Sequence, residues 1–255
     1  MKRIYTSIFL FFLLTSVYLA QGTAGSSAKY EYRRLVDLPT AGVLEKGISA
    51  FGIDVLPFGT VITSLEVGVF TNFSFGISYG GSNIIGSGEV LWYKLPGVNA
   101  RLRLFDETET MPAIVVGFDS QGKGEYFDEL KRYQIKSPGF FAAGAKNFEF
   151  LGYLSLHAVI NYSLEALGEE RGFTIGFGFE KTIGKTVSLI AEYNLALNDV
   201  ENIGSGKGYL NAGLRWSVSS GFTLGVDLRD ILSNNVLTTA SADRAIFVEY
   251  ITPLF

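Results

Sequence analysis

Three residues of one short segment carry the side chains of a hydrolase. Ser155 could act as the nucleophile, His157 as its general base and Asn161 as the group that orients the ring. The segment alternates polar with apolar residues and predicts a β-strand, on which residues two apart lie on one face and approach hydrogen-bonding distance. Asn161 lies too far along that strand to orient the imidazole directly. These three residues are a candidate site for acyl hydrolysis only if they face a substrate. The surrounding elements determine which way they face.

The surrounding sequence repeats the same alternation from Gly47 to Phe255. In the segment 172–181, Phe173, Ile175 and Phe177 form one face while the residues between them are small or polar. Segments of about ten residues with this pattern are typical of membrane-spanning strands with one face in lipid. A soluble β-sandwich also alternates, so the pattern alone leaves both folds open.

The first residues of the chain predict an export signal. Lys2 and Arg3 precede the apolar stretch 4–19, which is too short for a spanning helix, and the small residues of 20–22 or 22–24 offer a cleavage position. We therefore predict a secretory signal peptide over residues 1–22. After it, no run approaches the roughly 20 apolar residues that a spanning helix requires.

Composition excludes several classes of function. The chain has no cysteine, which excludes disulfides, thiol catalysis, thiolate metal sites and an N-terminal lipid anchor on cysteine. The net charge of −4 argues against a nucleic-acid partner, because phosphate contacts need clustered Lys and Arg. A mean hydropathy of +0.26 indicates either a large soluble core or an apolar band facing lipid, and the export signal favours the band.

The connections between the alternating segments distinguish these two folds. We predict twelve strands, at 47–56, 60–70, 73–80, 98–105, 112–118, 139–148, 152–162, 172–181, 187–197, 208–217, 222–230 and 244–252. Every second connection is short, at 71–72, 106–111, 149–151, 182–186 and 218–221, whereas the others are longer except for the turn at 57–59. This parity is typical of outer-membrane barrels, with short periplasmic turns and long outer loops.

We therefore predict an all-β fold, a transmembrane antiparallel up-and-down barrel of about twelve strands, located in the bacterial outer membrane and spanning residues 47–255. Residues 23–46 are predicted to be a periplasmic lead-in or to fold up into the lumen. The lipid-facing wall implies contact with outer-membrane lipids and lipopolysaccharide. The last strand, ending at Phe255, resembles the segment by which the barrel-insertion machinery recognises its substrates.

Taking the apolar faces as lipid-facing, parity places the opposite positions inside the barrel. The inward positions that carry charge or a polar ring are Asp54, Glu66, Arg101, Arg103, Lys146, His157, Glu180, Glu192, Arg215, Asp227, Arg229 and Glu249. An Arg or Lys facing lipid at the midplane would cost about 2–4 kcal/mol, which supports this orientation. The near balance of bases and acids predicts ion pairs across the lumen. Either they close it or they leave a narrow polar path.

The same alternation of inward and outward positions argues against the interpretation of this chain as a hydrolase. Ser155 and His157 point into the lumen, whereas outer-membrane phospholipase A works at the lipid-facing wall and has its histidine before its serine. A packed lumen histidine is the favoured interpretation, and we predict no catalytic residue, no metal site and no cofactor.

The segment 119–124 lacks the spacing of a phosphate loop, and the acidic residues of 106–109 are expected to lie in a solvated turn. The aromatic residues 92–93, 126–127 and 133 are expected in an interfacial belt or stacked on sugar rings.

Several stretches resemble the YjbH-like outer-membrane proteins associated with exopolysaccharide production. They include Leu38-Pro39-Thr40-Ala41-Gly42, Phe75-Gly76-Ile77-Ser78-Tyr79-Gly80-Gly81, Pro96-Gly97-Val98-Asn99-Ala100-Arg101 and Lys136-Ser137-Pro138-Gly139. The resemblance implies a barrel that assists the export or surface assembly of a polysaccharide. The resembling segments also contain Arg101, Lys146, His157, Glu165, Glu192 and Asn194, for which the resemblance implies a polar path or a stabilising network.

Three functions follow from these observations. The leading one is a non-enzymatic, porin-like barrel that assists passage of a polysaccharide or related polar solute, with the polysaccharide or export-complex proteins as partners. The second is a closed scaffold whose lumen is filled by ion pairs and by residues 23–46. The third is a lipid hydrolase using Ser155 and His157.

Overall fold

The computed structural model describes residues 22–165, 172–199, 203–204, 207–238 and 242–254. Residues 1–21, which are all but the last residue of the predicted signal peptide, and Phe255 lie outside these ranges. Within the described ranges, no helix is long and apolar enough to span a membrane.

Twelve long strands form the body of the protein, and three short strands lie in its outer loops. The long strands are β1 (Ile48–Leu56), β2 (Thr60–Phe70), β3 (Phe73–Ser82), β5 (Gly97–Phe105), β6 (Ala113–Asp119), β9 (Gly139–Glu149), β10 (Tyr153–Tyr162), β11 (Phe173–Thr182), β12 (Val187–Asn194), β13 (Tyr209–Ser219), β14 (Phe222–Arg229) and β15 (Asp243–Pro253). The short ones are β4 (Leu91–Trp92), β7 (Lys123–Phe127) and β8 (Arg132–Ile135).

The long strands close into an antiparallel barrel. Each pairs with the next long strand along the chain, and β1 pairs with both β2 and β15, with Ile48 opposite Pro253. The predicted twelve-stranded barrel is confirmed, and the predicted strand ends agree with the observed ones to within three residues. The largest difference is at β12, which ends at Asn194 because its side-chain oxygen accepts the Ala196 N–H and turns the chain.

The outer face of the wall is apolar. Large exposed side chains such as Leu65, Phe75, Leu156, Phe177 and Val226 recur at alternate positions around the barrel. A contiguous apolar surface of this extent is incompatible with water and matches the lipid-facing band of a spanning barrel. The protein is therefore a barrel of the bacterial outer membrane.

Two outer loops contain strands that the sequence did not predict. In the loop between β3 and β5, β4 pairs with the end of β3, with Trp92 opposite Gly81. The connection between β6 and β9 contains the hairpin β7–β8, in which Tyr126 pairs with Tyr133. The other outer loops are also longer than the periplasmic turns, except at 57–59, as predicted from the parity of the connections.

Candidate functional site in the lumen

Residues 22–47, the N-terminal segment, lie inside the barrel. The segment starts at the periplasmic ends of three adjacent strands, where Ser188, Ser217 and Thr223 accept backbone N–H groups of residues 23–25 at 2.8–3.1 Å. It rises to a narrow turn at which Arg34 and Pro39 form a β-bridge. It then descends to β1, where the Gly47 N–H donates to the Gly68 carbonyl at 2.9 Å.

One carboxylate of the wall binds the backbone at the turn of the N-terminal segment. Glu192 accepts the backbone N–H groups of Val36, Asp37 and Leu38 at 2.9–3.0 Å. Asn211 donates to the same carboxylate at 2.8 Å. Glu192 therefore satisfies three consecutive backbone donors that would otherwise be buried without partners.

Two arginines of the N-terminal segment pair with the wall of β1, β2 and β15. Arg33 contacts Glu66 at 3.0 Å and also pairs with Glu249. Arg34 contacts Asp54 at 2.6 Å. The sequence predicted that the inward charges of the wall form ion pairs with one another across the lumen.

That part of the prediction is wrong, because the N-terminal segment lies between the walls and supplies the nearer charges. On the far side of the segment, Asp37 contacts Arg229 at 3.1 Å and Lys123 at 2.6 Å. Arg103 pairs with Glu31 and donates to the Ala41 carbonyl at 2.7 Å. The lumen charges thus bind the segment to the wall around its circumference.

Four more of the predicted lumen residues, Glu180, Asn194, Arg215 and Asp227, have partners on the wall itself. Arg215 contacts Asp227 at 2.6 Å and also donates to the Leu35 carbonyl. The other contacts are Asp227 with Arg229 at 3.6 Å, Glu180 with Ser188 at 2.7 Å and Asn194 with Thr174 at 3.0 Å.

The prediction that Lys146 faces the lumen is wrong. Phe141 and Ala143 of β9 face inward, so Lys146 lies on the outer face, opposite Leu156, and contacts Glu107 of a periplasmic turn at 3.3 Å.

Sequence reasoning missed the partners that lie outside the twelve strands of the barrel wall. Arg33, Arg34 and Asp37 belong to an irregular segment for which strand parity makes no prediction, and Lys123 belongs to an outer loop. A usable signal was present, since a paired Arg33-Arg34 followed by Asp37 matches a lumen wall rich in both charges.

The Ser155–His157–Asn161 set is not assembled for catalysis. Ser155 donates to the side-chain oxygen of Asn147, and Asn161 donates to the Pro138 carbonyl at 2.9 Å. Neither ring nitrogen of His157 has a hydrogen-bond partner among the described residues. Without a bond from Ser155 to His157, the serine is not activated as a nucleophile.

The N-terminal segment packs its apolar side chains against the wall at three places. Leu38 and Ala41 contact a patch that contains Val115, Phe141 and Val159, all of which face inward. Leu35 and Val36 pack on Ile190, and Leu44 packs on Ala50 and Ile251. These contacts form a small core between the segment and the barrel.

The wall formed by β1, β2 and β3 leaves space beside the N-terminal segment. Small inward residues there, including Gly52, Ser64, Gly76 and Ser78, line a cavity of about 120 Å³. A second cavity of about 70 Å³ lies beneath the outer loops, between Asp37 and Asn235. Cavities of these sizes have room for water molecules but not for an oligosaccharide chain.

The outer loops close the lumen from above. Arg132 pairs with Asp199, and both side chains are 1% exposed. Glu165 accepts the backbone N–H groups of Tyr133 and Ser137, both at 2.9 Å. The loops are thus joined by buried polar contacts, and we call residues 132–137 with 194–199 the outer cap.

Aromatic residues of the outer loops pack on one another. The Tyr133 ring lies 4.8 Å from that of Tyr93 and 4.9 Å from that of Tyr126, and the Tyr93 hydroxyl donates to the Gly124 carbonyl at 2.7 Å. Burial, together with Glu165, raises the pKa of Tyr133 to about 12. Tyr93 and Tyr133 therefore do not belong to an interfacial belt, whereas Trp92 is exposed and stacks on Tyr79.

The outer cap should resist moderate acid. Burial by itself would raise the pKa of Asp199, but Arg132 and Lys136 outweigh it and hold the pKa below its usual value. A carboxyl with a lowered folded pKa stabilises the fold above its unfolded pKa of about 3.9, and this contribution is lost as the pH falls through the lowered value. Near-UV circular dichroism of the tyrosine cluster should therefore stay constant from about pH 8 to 5 and decline below about pH 4. Loss of the signal near neutral pH would contradict this assignment, and Asp199→Asn should weaken the signal at every pH.

Among the described residues, no group of three or more histidine or carboxylate side chains is placed to hold a metal ion. In the periplasmic turn of the acidic residues 106–109, Glu107 instead accepts hydrogen bonds from the backbone and side-chain N–H groups of Asn147.

Comparison with known proteins gives a likeness of fold. The KdgM porin in complex with disordered oligogalacturonate superposes with a TM-score of 0.50 at 11% identity, over 80% of this chain and 98% of that one. The barrel has the fold of this porin. Another structure of the KdgM porin (TM-score 0.48, 10% identity, 80% and 97% coverage) and the NanC porin (0.45, 10%, 80% and 98%) are less similar.

No protein-family model and no curated protein matches the sequence. The resemblance to YjbH-like proteins, and with it the link to exopolysaccharide, therefore stays a prediction. The predicted interaction of the last strand with the insertion machinery also stays a prediction.

Proposed function

We propose that this barrel passes a polar solute, such as an oligosaccharide or a segment of a surface polysaccharide, across the outer membrane. In the state described here the N-terminal segment closes the lumen, so passage requires this segment to shift. The KdgM porin of the same fold has been solved with oligogalacturonate, which supports a barrel of this size as a host for a saccharide.

The charge of the lumen wall is the observation that carries the proposal. Buried ion pairs contribute little to stability, and apolar side chains of similar volume serve a permanently filled interior as well or better. The wall nevertheless carries many charged side chains. Their presence is explained if they also face water when the segment moves. They include Asp54, Glu66, Arg101, Arg229 and Glu249. Such a wall is hydrated in the open state and paired in the closed one.

The test is single-channel conductance of the refolded mature protein, compared with a variant that lacks Gly22 to Lys46. We expect little conductance from the full mature chain and a steady, larger conductance from the shortened one, because its lumen loses the occupying segment. Heat-modifiable migration on gels serves as the control that both proteins are folded. A shortened barrel that is folded but shows no conductance would contradict the proposal.

A closed scaffold is the second candidate, and the apolar packing of the N-terminal segment favours it. A segment that moves must expose Leu35, Leu38 and Leu44 together with the inward patch around Phe141. Under this alternative the shortened variant fails to fold or stays silent, and the outer loops become the place to look for protein partners.

A further inference from the structure

The hairpin β7–β8 contacts all four of the other long outer loops. Each of those loops supplies a residue that forms a hydrogen bond or an ion pair with the hairpin. In the order of the loops β3–β5, β10–β11, β12–β13 and β14–β15, the pairs are Tyr93 with Gly124, Glu165 with Tyr133, Asp199 with Arg132 and Leu237 with Gln134. The three hydrogen bonds are 2.7–3.1 Å long, and the ion pair is almost completely buried. A displaced hairpin therefore breaks contacts with each of these loops.

The same hairpin also reaches the N-terminal segment. Lys123, at the start of β7, donates from its Nζ atom to the Val36 carbonyl at 3.0 Å and to the Asp37 carboxylate at 2.6 Å. The side chains of Lys123 and Asp37 are mostly buried, so their ion pair is little screened by solvent. Val36 and Asp37 belong to the turn whose backbone Glu192 binds. Because the segment enters the lumen from the periplasmic side, this contact joins a periplasmic element to an extracellular one.

The contacts with the loops and with the segment lie on one compact unit. Lys123 and Gly124 are consecutive, so the contact with the segment and the contact with Tyr93 arise about 3.8 Å apart along the chain. Gly124 has a φ of 81°, and a Cβ atom there would lie 2.8 Å from Cβ of Gln134, so the two strands of the hairpin leave no space between them. The hairpin is therefore expected to move as one body that carries Lys123 with it.

We propose that the hairpin β7–β8 couples the outer loops to the N-terminal segment, with Lys123 as the residue that transmits the coupling, so that the two closures of the lumen open together. A chain of buried contacts gives two sites a shared free energy, and such an effect is reciprocal. Closed outer loops hold Lys123 against the turn of the segment, and the bound segment holds the hairpin against the loops. A ligand that displaces the hairpin from outside thereby loosens the segment in the lumen.

The coupling does not depend on which solute the barrel passes or on whether it passes one. It concerns contacts of the closed state and can be measured on a barrel that never conducts. Failure of the conductance test and failure of this proposal are therefore separate outcomes.

The experiment perturbs the outer loops and measures the segment, in the full mature protein in detergent. Glu165→Ala removes the acceptor of the Tyr133 and Ser137 N–H groups, so hydrogen exchange of the outer cap should accelerate. Trypsin should then cleave faster at Arg33 or Arg34 of the segment, although the described hydrogen bonds of Glu165 are all within the outer loops. We expect a rise of at least about fivefold in the cleavage rate, the lower end of typical couplings between sites.

Lys123→Met tests the residue that transmits the coupling. In this background Glu165→Ala should still accelerate exchange of the outer cap but should no longer raise the rate of cleavage in the segment. Lys131→Met is the matched control, because Lys131 is an exposed lysine in the turn of the same hairpin and its loss should leave the coupling intact. Faster exchange of the outer cap in Glu165→Ala without faster cleavage would overturn the proposal, as would an equal rise of cleavage when Lys123 is replaced.

A second perturbation guards against a folding failure of Glu165→Ala. Arg132→Gln breaks the ion pair with Asp199 of a different outer loop, so it should raise the cleavage rate in the segment in the same way, and again only when Lys123 is present. Heat-modifiable migration on gels shows that each variant is folded. A segment that stays protected in folded Arg132→Gln, while its outer cap exchanges faster, would likewise overturn the proposal.

Discussion

Replacing Glu192 with alanine is expected to release the turn of the N-terminal segment from the barrel wall. The substitution leaves the N–H groups of Val36, Asp37 and Leu38 buried without an acceptor. An unsatisfied buried group costs about 1–3 kcal/mol, so three of them destabilise the docked segment by several kcal/mol. Trypsin should then cleave at Arg33 or Arg34, which the wild-type barrel protects, and the folded barrel should become conductive.

Glu180→Ala is the control for this prediction. Glu180 is also an inward carboxylate, on the neighbouring strand, but it accepts a hydrogen bond from Ser188 of the wall rather than from the turn. Its loss should leave trypsin protection at Arg33 unchanged. Equal protection in the wild type and in Glu192→Ala would show that this carboxylate does not hold the segment.

Arg215→Ala should destabilise the whole barrel. The Arg215–Asp227 pair is almost completely buried, and Arg215 also donates to the Leu35 carbonyl at 3.1 Å. Without Arg215, Asp227 keeps only its longer contact with Arg229 at 3.6 Å, and breaking a buried pair of this kind typically costs about 3–5 kcal/mol. The temperature at which heat-modifiable migration is lost should fall accordingly.

The double variant Arg215→Leu with Asp227→Leu distinguishes this mechanism from a general loss of packing. Replacement of both partners by apolar groups removes the buried charges together, so the double variant should be more stable than Arg215→Ala. If the double variant is the less stable of the two, the energetic role assigned to this ion pair is wrong.

Most of the barrel could be predicted from the sequence, because a lipid-facing wall imposes a strict period of two. Phe173, Ile175 and Phe177 face outward whatever their partners are, so strand positions and parity require only local information. The hairpin β7–β8 was missed because its short strands face no lipid and carry no regular alternation.

The interior was predictable only in part. Except for Lys146, parity identified which wall residues face inward, but the carboxylates of Asp54, Glu66 and Glu249 proved to pair with the N-terminal segment. Contacts such as Arg33 with Glu249 join residues more than 200 positions apart and leave no local pattern. The irregular segment itself was predicted to lie either in the periplasm or in the lumen, because an irregular chain has no parity.

The central claim is that the N-terminal segment occupies the lumen, and disulfide trapping tests it most directly. A Cβ atom at Gly176 would lie 3.2 Å from Cγ of Leu38, a spacing that suits a disulfide between Leu38→Cys and Gly176→Cys in this cysteine-free chain. If the segment is bound as described, we expect near-complete crosslinking of this pair in isolated outer membranes. The pair Leu38→Cys with Ser64→Cys, which lies across the cavity, should give little crosslinked product. Absence of the first crosslink from a folded barrel, or equal yields of both, would contradict the account.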